Sequence, residues 1–327
     1  MKVYFLLAAA VGSLLLLRCS QSVLEGNHIQ LLLDWKGQME HAGFFLADQA
    51  GYYEKEGLTV EILEGNGAPT TAQLVGNGTY KLGVSSGSAT VIARTKGIGV
   101  VSLAVINQHS PVVVYSLRKS GIREPADLRG RRIGVNLGGT KHREFQAFLK
   151  KVGIEETDVR LMGMTESSPA PLLAGKVDAM LGYTEDQPVS VELRGEEVNR
   201  ITLSDHGIDL YSTNIIVNQQ FLVENPDLVR RFLSATLDGW RTAVAHPEKA
   251  LSAYMSARPE SDSRFNRANF EQLIPLLKSE DTEIKGLGAQ NAQRWEETQE
   301  ILFNLGMIDH KQDVTELYVD LLHPAQP

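Results

Sequence analysis

The chain has 327 residues, 43% of them hydrophobic, a single cysteine and a formal charge of −8 at pH 7. Acidic residues in excess, with both signs interspersed, exclude the basic surface that nucleic-acid binding needs. One cysteine excludes a disulfide framework, a cysteine-ligated zinc site and a Cys-x-x-Cys redox pair, so the fold must rest on its apolar core.

The chain opens with Lys2 and an uncharged apolar run from Val3 to Leu17. That run is shorter than the roughly twenty residues a membrane span needs, so residues 1–18 read as an export signal. It ends in Leu16-Leu17-Arg18-Cys19, which is similar to a bacterial lipobox, although Arg18 stands where small residues are usual. Cys19 is therefore expected to carry a lipid, with residues 19–26 as a tether. The alternative is an ordinary secretory signal with an incidental cysteine. Removing Lys2 and Arg18 leaves a charge of −10. The rest of the chain is too long for one simple core and suits two lobes.

From residue 29 the pattern alternates. Ile29 to Leu33 predicts a strand, followed by a loop from Asp34 to Glu40 and a helix through Ala50 that Gly51 stops. Strands are expected at Thr59 to Leu63, Tyr80 to Val84 and Val100 to Ile106, with helices after Gly65-Asn66-Gly67-Ala68-Pro69 and after Ser85-Ser86-Gly87-Ser88. The pattern then restarts with strands at 112–117 and 132–136, a helix opened by Gly138-Gly139-Thr140, and strands at 159–162 and 178–183. Strand character returns in Asn214-Ile215-Ile216-Val217, and from Pro226 the chain is nearly all helix. Strands alternating with helices indicate parallel α/β sheets. Lobe one is expected to comprise residues 27–115 and 214–327, and lobe two residues 116–213. The crossings near Ser116 and Thr213 would form a hinge, with a ligand beyond the carboxyl ends of the strands.

Several stretches resemble one family. Leu33-Asp34-Trp35, His41-Ala42-Gly43-Phe44-Phe45-Leu46-Ala47 and Gly51-Tyr52-Tyr53-Glu54-Lys55-Glu56-Gly57-Leu58 are similar to the opening signature of binding proteins for thiamine-precursor pyrimidines, within the sulfonate, nitrate and taurine binding-protein superfamily. Gly83-Val84-Ser85-Ser86-Gly87, Gln108-His109-Ser110-Pro111, Gly239-Trp240, His246-Pro247-Glu248-Lys249-Ala250 and Gly306-Met307-Ile308-Asp309 continue it. The resemblance implies a periplasmic-binding-protein type II fold, in which two α/β lobes close on a ligand. It also implies an extracytoplasmic role beside an ABC permease and its ATPase, as a monomer held to the membrane by its lipid and without a cofactor. Gly37 and Gln38 depart from the Pro and Asn usual after the tryptophan in the pyrimidine branch. Riboflavin, an alkylsulfonate, taurine or nitrate therefore stand as alternative ligands to a hydroxymethyl- or formylamino-pyrimidine.

Trp35 offers the largest flat face for stacking a planar heteroaromatic, or else closes the core of its lobe. Asp34 would accept from a ligand amino group or from loop amides. The spacing of His41 from Trp35 matches the family, which implies a ligand contact, whereas a lone histidine is more often structural. Ser85-Ser86-Gly87 and Gly138-Gly139-Thr140 would form polar jaws at two helix starts, or be ordinary helix entries. At the end of a lobe-two strand, Tyr183 is a second stacking candidate. The family glutamate there corresponds to Glu185, or is replaced by Gln187. Gln38, Gln108 and Asn66 complete the candidates, and for Gln108 and Asn66 turn capping is the simpler role.

No enzyme motif appears. There is no Gly-x-Ser-x-Gly, no His-Glu-x-x-His and no phosphate-binding Gly-x-x-x-x-Gly-Lys-Ser/Thr, and the eight histidines lack paired metal spacing. A eukaryotic branch of the resembled family makes the thiamine pyrimidine from its own histidine, but its cysteine-rich motif is missing here. The expected mechanism is a clamshell, with ligand resting on Trp35 while lobe two brings Tyr183 and the Gly138 loop over it. A sensing receptor without transport would show the same sequence.

Overall fold

The computed structural model describes residues 27–165 and 168–322. The export signal, Cys19 and the 19–26 tether lie outside the described residues. No helix among the described residues is long and apolar enough to cross a membrane.

Among the described residues, ten strands form two five-stranded sheets. The first contains β1 (His28–Leu32), β2 (Thr59–Leu63), β3 (Leu82–Ser86), β4 (Val100–Val105) and β10 (Thr213–Asn218), in the order β2-β1-β3-β10-β4. The second contains β5 (Val112–Leu117), β6 (Arg132–Val135), β7 (Arg160–Gly163), β8 (Ala179–Tyr183) and β9 (Val198–Thr202), in the order β7-β6-β8-β5-β9. In each sheet a single strand, β10 or β5, runs antiparallel between two neighbours. Both antiparallel strands follow directly on a crossing between lobes, so the two sheets share one topology without a repeat in the sequence.

Helices cover the sheets. In the first lobe they are α1 (Ala42–Gln49), α2 (Tyr52–Lys55), α3 (Ala68–Gly76) and α4 (Gly87–Thr95). The second lobe adds α5 (Thr140–Lys151), α6 (Ala170–Leu173) and α7 (Gln187–Glu192). After β10 come α8 (Gln219–Glu224), α9 (Pro226–Ala245), α10 (Pro247–Ala257), α11 (Ser263–Leu273), α12 (Glu280–Lys285) and α13 (Ala292–Asn304). The main core of lobe one packs Phe44, Tyr53, Phe232 and Trp240 against the buried face of the first sheet, and lobe two has its own core around Phe145, Phe148 and Val114. The α1–α9 contact is close because each helix places a glycine at the crossing. A Cβ on Gly43 would stand 2.2 Å from Trp240 Cδ2, and one on Gly239 would stand 2.4 Å from the Gly43 carbonyl oxygen.

Two expectations need correction, and two elements went unforeseen. The first crossing does not fall near Ser116, because Val112–Leu117 pairs with β8 and β9 in the second sheet; the chain passes between sheets over residues 106–111. That strand is apolar on both faces, so nothing in its own composition says which sheet it joins. Ser85 and Ser86 end β3 instead of forming a loop after it. Finally, α7 and β9 carry no strong signal: β9 is Val-Asn-Arg-Ile-Thr, a polar edge strand with only Ile201 fully buried.

Candidate functional site

The carboxyl ends of β1, β3, β6 and β8 converge on a cavity of about 790 Å³ between the lobes. Its lobe-one wall begins with the loop after β1, which is clamped by the loop after β2. Gly65 N donates to the Trp35 carbonyl at 3.0 Å and Gly67 N to the Asp34 carbonyl at 2.6 Å. The approach demands glycine at 65, where a Cβ would lie 1.8 Å from the Leu33 carbonyl oxygen. Tyr254 Oη donates to the Gly37 carbonyl at 3.1 Å and fixes the far side of the same loop. Trp35 is left 44% exposed with its ring at the cavity, so it does not serve as a core tryptophan.

His41 is fully buried and lies behind this wall. Its Nδ1 accepts from Gln38 N at 3.2 Å, which leaves the proton on Nε2, 2.8 Å from Asp34 Oδ1. The histidine thus orients the carboxylate that lines the cavity. Ligand atoms of Asp34, Glu40 and His41 lie within 4.8 Å of one another, but both histidine nitrogens already have partners within the protein.

Lobe two supplies the opposing wall. Gln187 Oε1 accepts from Tyr183 N at 2.8 Å and its Nε2 donates to Asp186 Oδ2 at 2.5 Å, closing the turn that presents Tyr183, Glu185 and Asp186. Lys141 Nζ sits 4.1 Å from the centre of the Tyr183 ring, a cation–π arrangement. Glu144, one turn after Thr140 on α5, accepts from Ser110 Oγ at 3.1 Å. Burial pushes the Glu144 carboxyl up to about 7 and the Glu185 carboxyl up to about 8. Burial also raises Glu40, against the pull of His41 and with the help of Asp34 and Asp186. Burial lowers Lys141, opposed by Asp186, Glu185 and Glu144.

Of the residues expected from sequence, Asp34, Trp35, Gln38, Ser86, Thr140, Tyr183, Glu185 and Gln187 line the cavity together. The others stand apart from its wall. Ser85 is buried and donates to the Ala68 carbonyl at 3.0 Å. Gly87 donates to the Ser212 carbonyl at 2.9 Å, packed so tightly on Tyr211 that a Cβ would lie 2.4 Å from its carbonyl oxygen. Gln108 is buried, with its amide donating to the carbonyls of Val105 and Ala289. Asn66 is exposed in the β2–α3 loop. Gly138, at φ 80°, and Gly139 make the turn into α5, where Gly138 N donates to His142 Nδ1 at 3.1 Å.

Sequence reasoning missed Glu40, Lys141, Glu144, Asp186 and Asn269, all on the cavity wall. A signal existed for Glu144, which falls one helical turn after Thr140 and so shares its face. For Asn269 the signal was an amide beside Phe270 on the buried stripe of a helix. Asp34, Glu40, Glu144, Glu185, Asp186 and Asp262 face one lysine, and no arginine is among the described residues lining the cavity. Three buried polar atoms of the wall have no partner: Glu185 Oε2, Asn269 Oδ1 and Asn107 Oδ1. The two amide oxygens are acceptors and ask for hydrogen-bond donors, whereas Glu185 Oε2 accepts when its carboxyl is ionised and can donate when burial keeps it protonated.

Two mixed sheets of one topology, two crossings and a cavity between the lobes define the periplasmic-binding-protein fold. The periplasmic aliphatic sulphonate binding protein SsuA from Escherichia coli has this architecture, with a TM-score of 0.70 over 89% of this chain and 96% of that one, at 16% identity. The chain belongs to the NMT1/THI5-like family, whose model matches residues 38–250. It is 26% identical to the riboflavin-binding protein RibY of Chloroflexus aurantiacus, over 91% of this chain and 87% of that protein. It is 24% identical to the formylaminopyrimidine-binding protein of Halalkalibacterium halodurans, over 91% and 92%. The 4-amino-5-hydroxymethyl-2-methylpyrimidine phosphate synthase of Legionella pneumophila is 25% identical over 92% and 94%, so relatives include proteins named as binders and as synthases.

Proposed function

We propose that this chain is the extracytoplasmic solute-binding component of an ABC importer and captures a planar heteroaromatic that bears hydrogen-bond donors. A thiamine-precursor pyrimidine, such as the hydroxymethyl or formylamino compound, is the ligand that fits best. The observation that carries this reading is the cavity wall: unpartnered acceptors and carboxylates beside the faces of Trp35 and Tyr183. An aminopyrimidine offers two N–H donors and a flat ring. A sulfonate or nitrate offers only acceptors and negative charge, which this wall repels. The names of two relatives, a riboflavin-binding protein and a formylaminopyrimidine-binding protein, support binding without turnover. The partners would be a permease and its ATPase, with Cys19 as lipid anchor.

Riboflavin is the second reading, favoured by a cavity of about 790 Å³, which exceeds what one pyrimidine ring fills, and by the relative of that name.

The test is a titration followed by tryptophan fluorescence and thermal shift, with both pyrimidines, thiamine, riboflavin, taurine, an alkylsulfonate and nitrate. Ligand at 100 times its dissociation constant adds about 2.7 kcal/mol of stability. Stabilisation by a pyrimidine or by riboflavin that Trp35→Ala removes supports the reading. Stabilisation by taurine, sulfonate or nitrate alone overturns it.

A further inference from the structure

Helix α11 belongs to lobe one, yet its Asn269 reaches across the cleft. The Nδ2 of Asn269 donates to the Glu185 backbone carbonyl at 2.7 Å, and this bond fixes which end of the amide is the oxygen. The Oδ1 of Asn269 is buried without a partner, and so is Oε2 of Glu185, the residue whose carbonyl Asn269 holds. Both side chains line the cavity, Asn269 at 7% exposure and Glu185 at 3%. A buried polar atom without a partner costs stability, so each of the two is satisfied only when a ligand in the cavity supplies its partner.

We propose that Asn269 couples recognition to closure: its amide N–H ties lobe two to lobe one through the Glu185 carbonyl, while its oxygen takes a ligand donor and the Glu185 carboxyl pairs with the ligand's polar edge, accepting when ionised and donating when protonated. Resting on the ligand class inferred above, the pair reads an exocyclic amino group and a polar ring position of the same heteroaromatic. The same side chain uses its two ends for different tasks, so a ligand that engages the pair also holds the N–H bond in register. Affinity and closure then rise together, because the contact exists only while the lobes are shut. Asn269 would act by contact with ligand and by positioning Glu185, and a residue of similar size lacking either end would fail at one task alone.

The experiment uses the full chain with Cys19→Ser, which leaves no other cysteine. Spin labels at Val223→Cys in lobe one and Lys150→Cys in lobe two report the distance between lobes, with and without 4-amino-5-hydroxymethyl-2-methylpyrimidine. Both sites are exposed. Asn269→Ala is expected to shift the distance distribution toward the open form without ligand and to weaken binding at least tenfold. Asn269→Asp keeps the acceptor but loses the donor when ionised. Its affinity relative to the wild type at the same pH should be poor at pH 8 and recover toward pH 5. Asp34, Glu40, Glu144, Glu185, Asp186, Asp262 and Lys141 line the same cavity in both proteins, so the ratio refers the change to position 269. An unchanged lobe distance in Asn269→Ala overturns the proposal, as does wild-type affinity in that variant. If the wild type binds neither the pyrimidine nor riboflavin, the ligand reading fails on its own. The distances without ligand still decide the latch.

Discussion

His41 Nε2 stands 2.8 Å from Asp34 Oδ1, with the histidine fully buried and the carboxylate at the cavity. The relationship divides labour between a residue that faces a ligand and one that holds it in place. His41→Ala should weaken ligand binding about tenfold or more by freeing Asp34, and should also cost about 1–3 kcal/mol of stability, since it leaves Gln38 N without its acceptor and opens a void. His41→Gln, which can keep one of the two bonds, should recover part of both. Urea unfolding beside ligand titration separates the two effects. Unchanged affinity in a destabilised His41→Ala would reduce the histidine to a core residue.

Glu185 makes the stability of the protein depend on pH. Burial raises its carboxyl to about 8 in the folded chain from an ordinary 4.5. Between those values the folded state holds a proton that the unfolded state has released. Stability from this group is therefore full below about 4.5 and is lost as pH rises toward 8. The unliganded protein should melt higher at pH 5 than at pH 8. Glu185→Gln should flatten that slope by an amount on the order of a few kcal/mol, while lowering affinity for a donor ligand. Melting curves across pH 5 to 8 for both proteins check it. Equal slopes would mean that Glu185 is ionised and compensated in the fold.

The two-lobed plan was legible in sequence because the strand-helix alternation is periodic and local, and because β1, β2, β4 and α5 announce themselves by apolar runs and glycine stops. The lobe boundary was not, because β5 pairs with β8 and β9 far along the chain, and pairing partners leave no mark on a uniformly apolar strand. At the site, the residues on strand ends were visible: Asp34, Trp35 and Tyr183 follow directly from the rule that ligands sit beyond carboxyl ends. Residues on helices were harder. Glu144 and Asn269 reach the cavity only through the packing of α5 and α11, and in sequence they resemble any polar residue on an amphipathic helix. Gln108 shows the converse, since an amide in a turn that resembles the family pattern gives its hydrogen bonds to Val105 and Ala289.

Gly43 and Gly239 explain why two motifs separated by nearly two hundred residues occur together. Each removes a side chain where α1 and α9 touch, and Trp240 fills the space above Gly43. Gly43→Ala should destabilise the protein by about 1–3 kcal/mol or more, since the new methyl meets an indole that is itself wholly buried. The helix propensity gained by alanine, about 1 kcal/mol, is too small to offset this. Chemical denaturation measures the loss. A neutral or stabilising Gly43→Ala would show that the Trp240 ring can move aside.

Asp209 joins both crossings of the hinge. Its Oδ2 lies 2.7 Å from His109 Nδ1 and 2.9 Å from Arg294 Nη1, and its Oδ1 accepts from Ser110 N at 3.0 Å. His109 Nε2 faces the Lys278 carbonyl at 3.0 Å, so both ring nitrogens meet acceptors and the imidazolium is favoured. The bond to Asp209 accordingly raises the His109 pKa against the effect of burial. Burial alone would raise Asp209, but His109 and Arg294 together bring it down. The aspartate's contribution is present above about 3.8 and lost as pH falls through its folded value. The histidine's contribution is full below 6.5 and lost as pH rises through its raised value. Asp209→Asn should therefore cost about 1–3 kcal/mol, with the largest gap from wild type between roughly pH 4 and 6.5 and a smaller one at pH 8. It should also broaden the distribution of lobe distances, because Ser110 and His109 lose the group that ties the first crossing to the second. Melting curves at pH 5.5 and 8 with the spin-labelled pair measure both. A gap that does not change with pH would remove His109 from the account and leave Arg294 as the partner that matters.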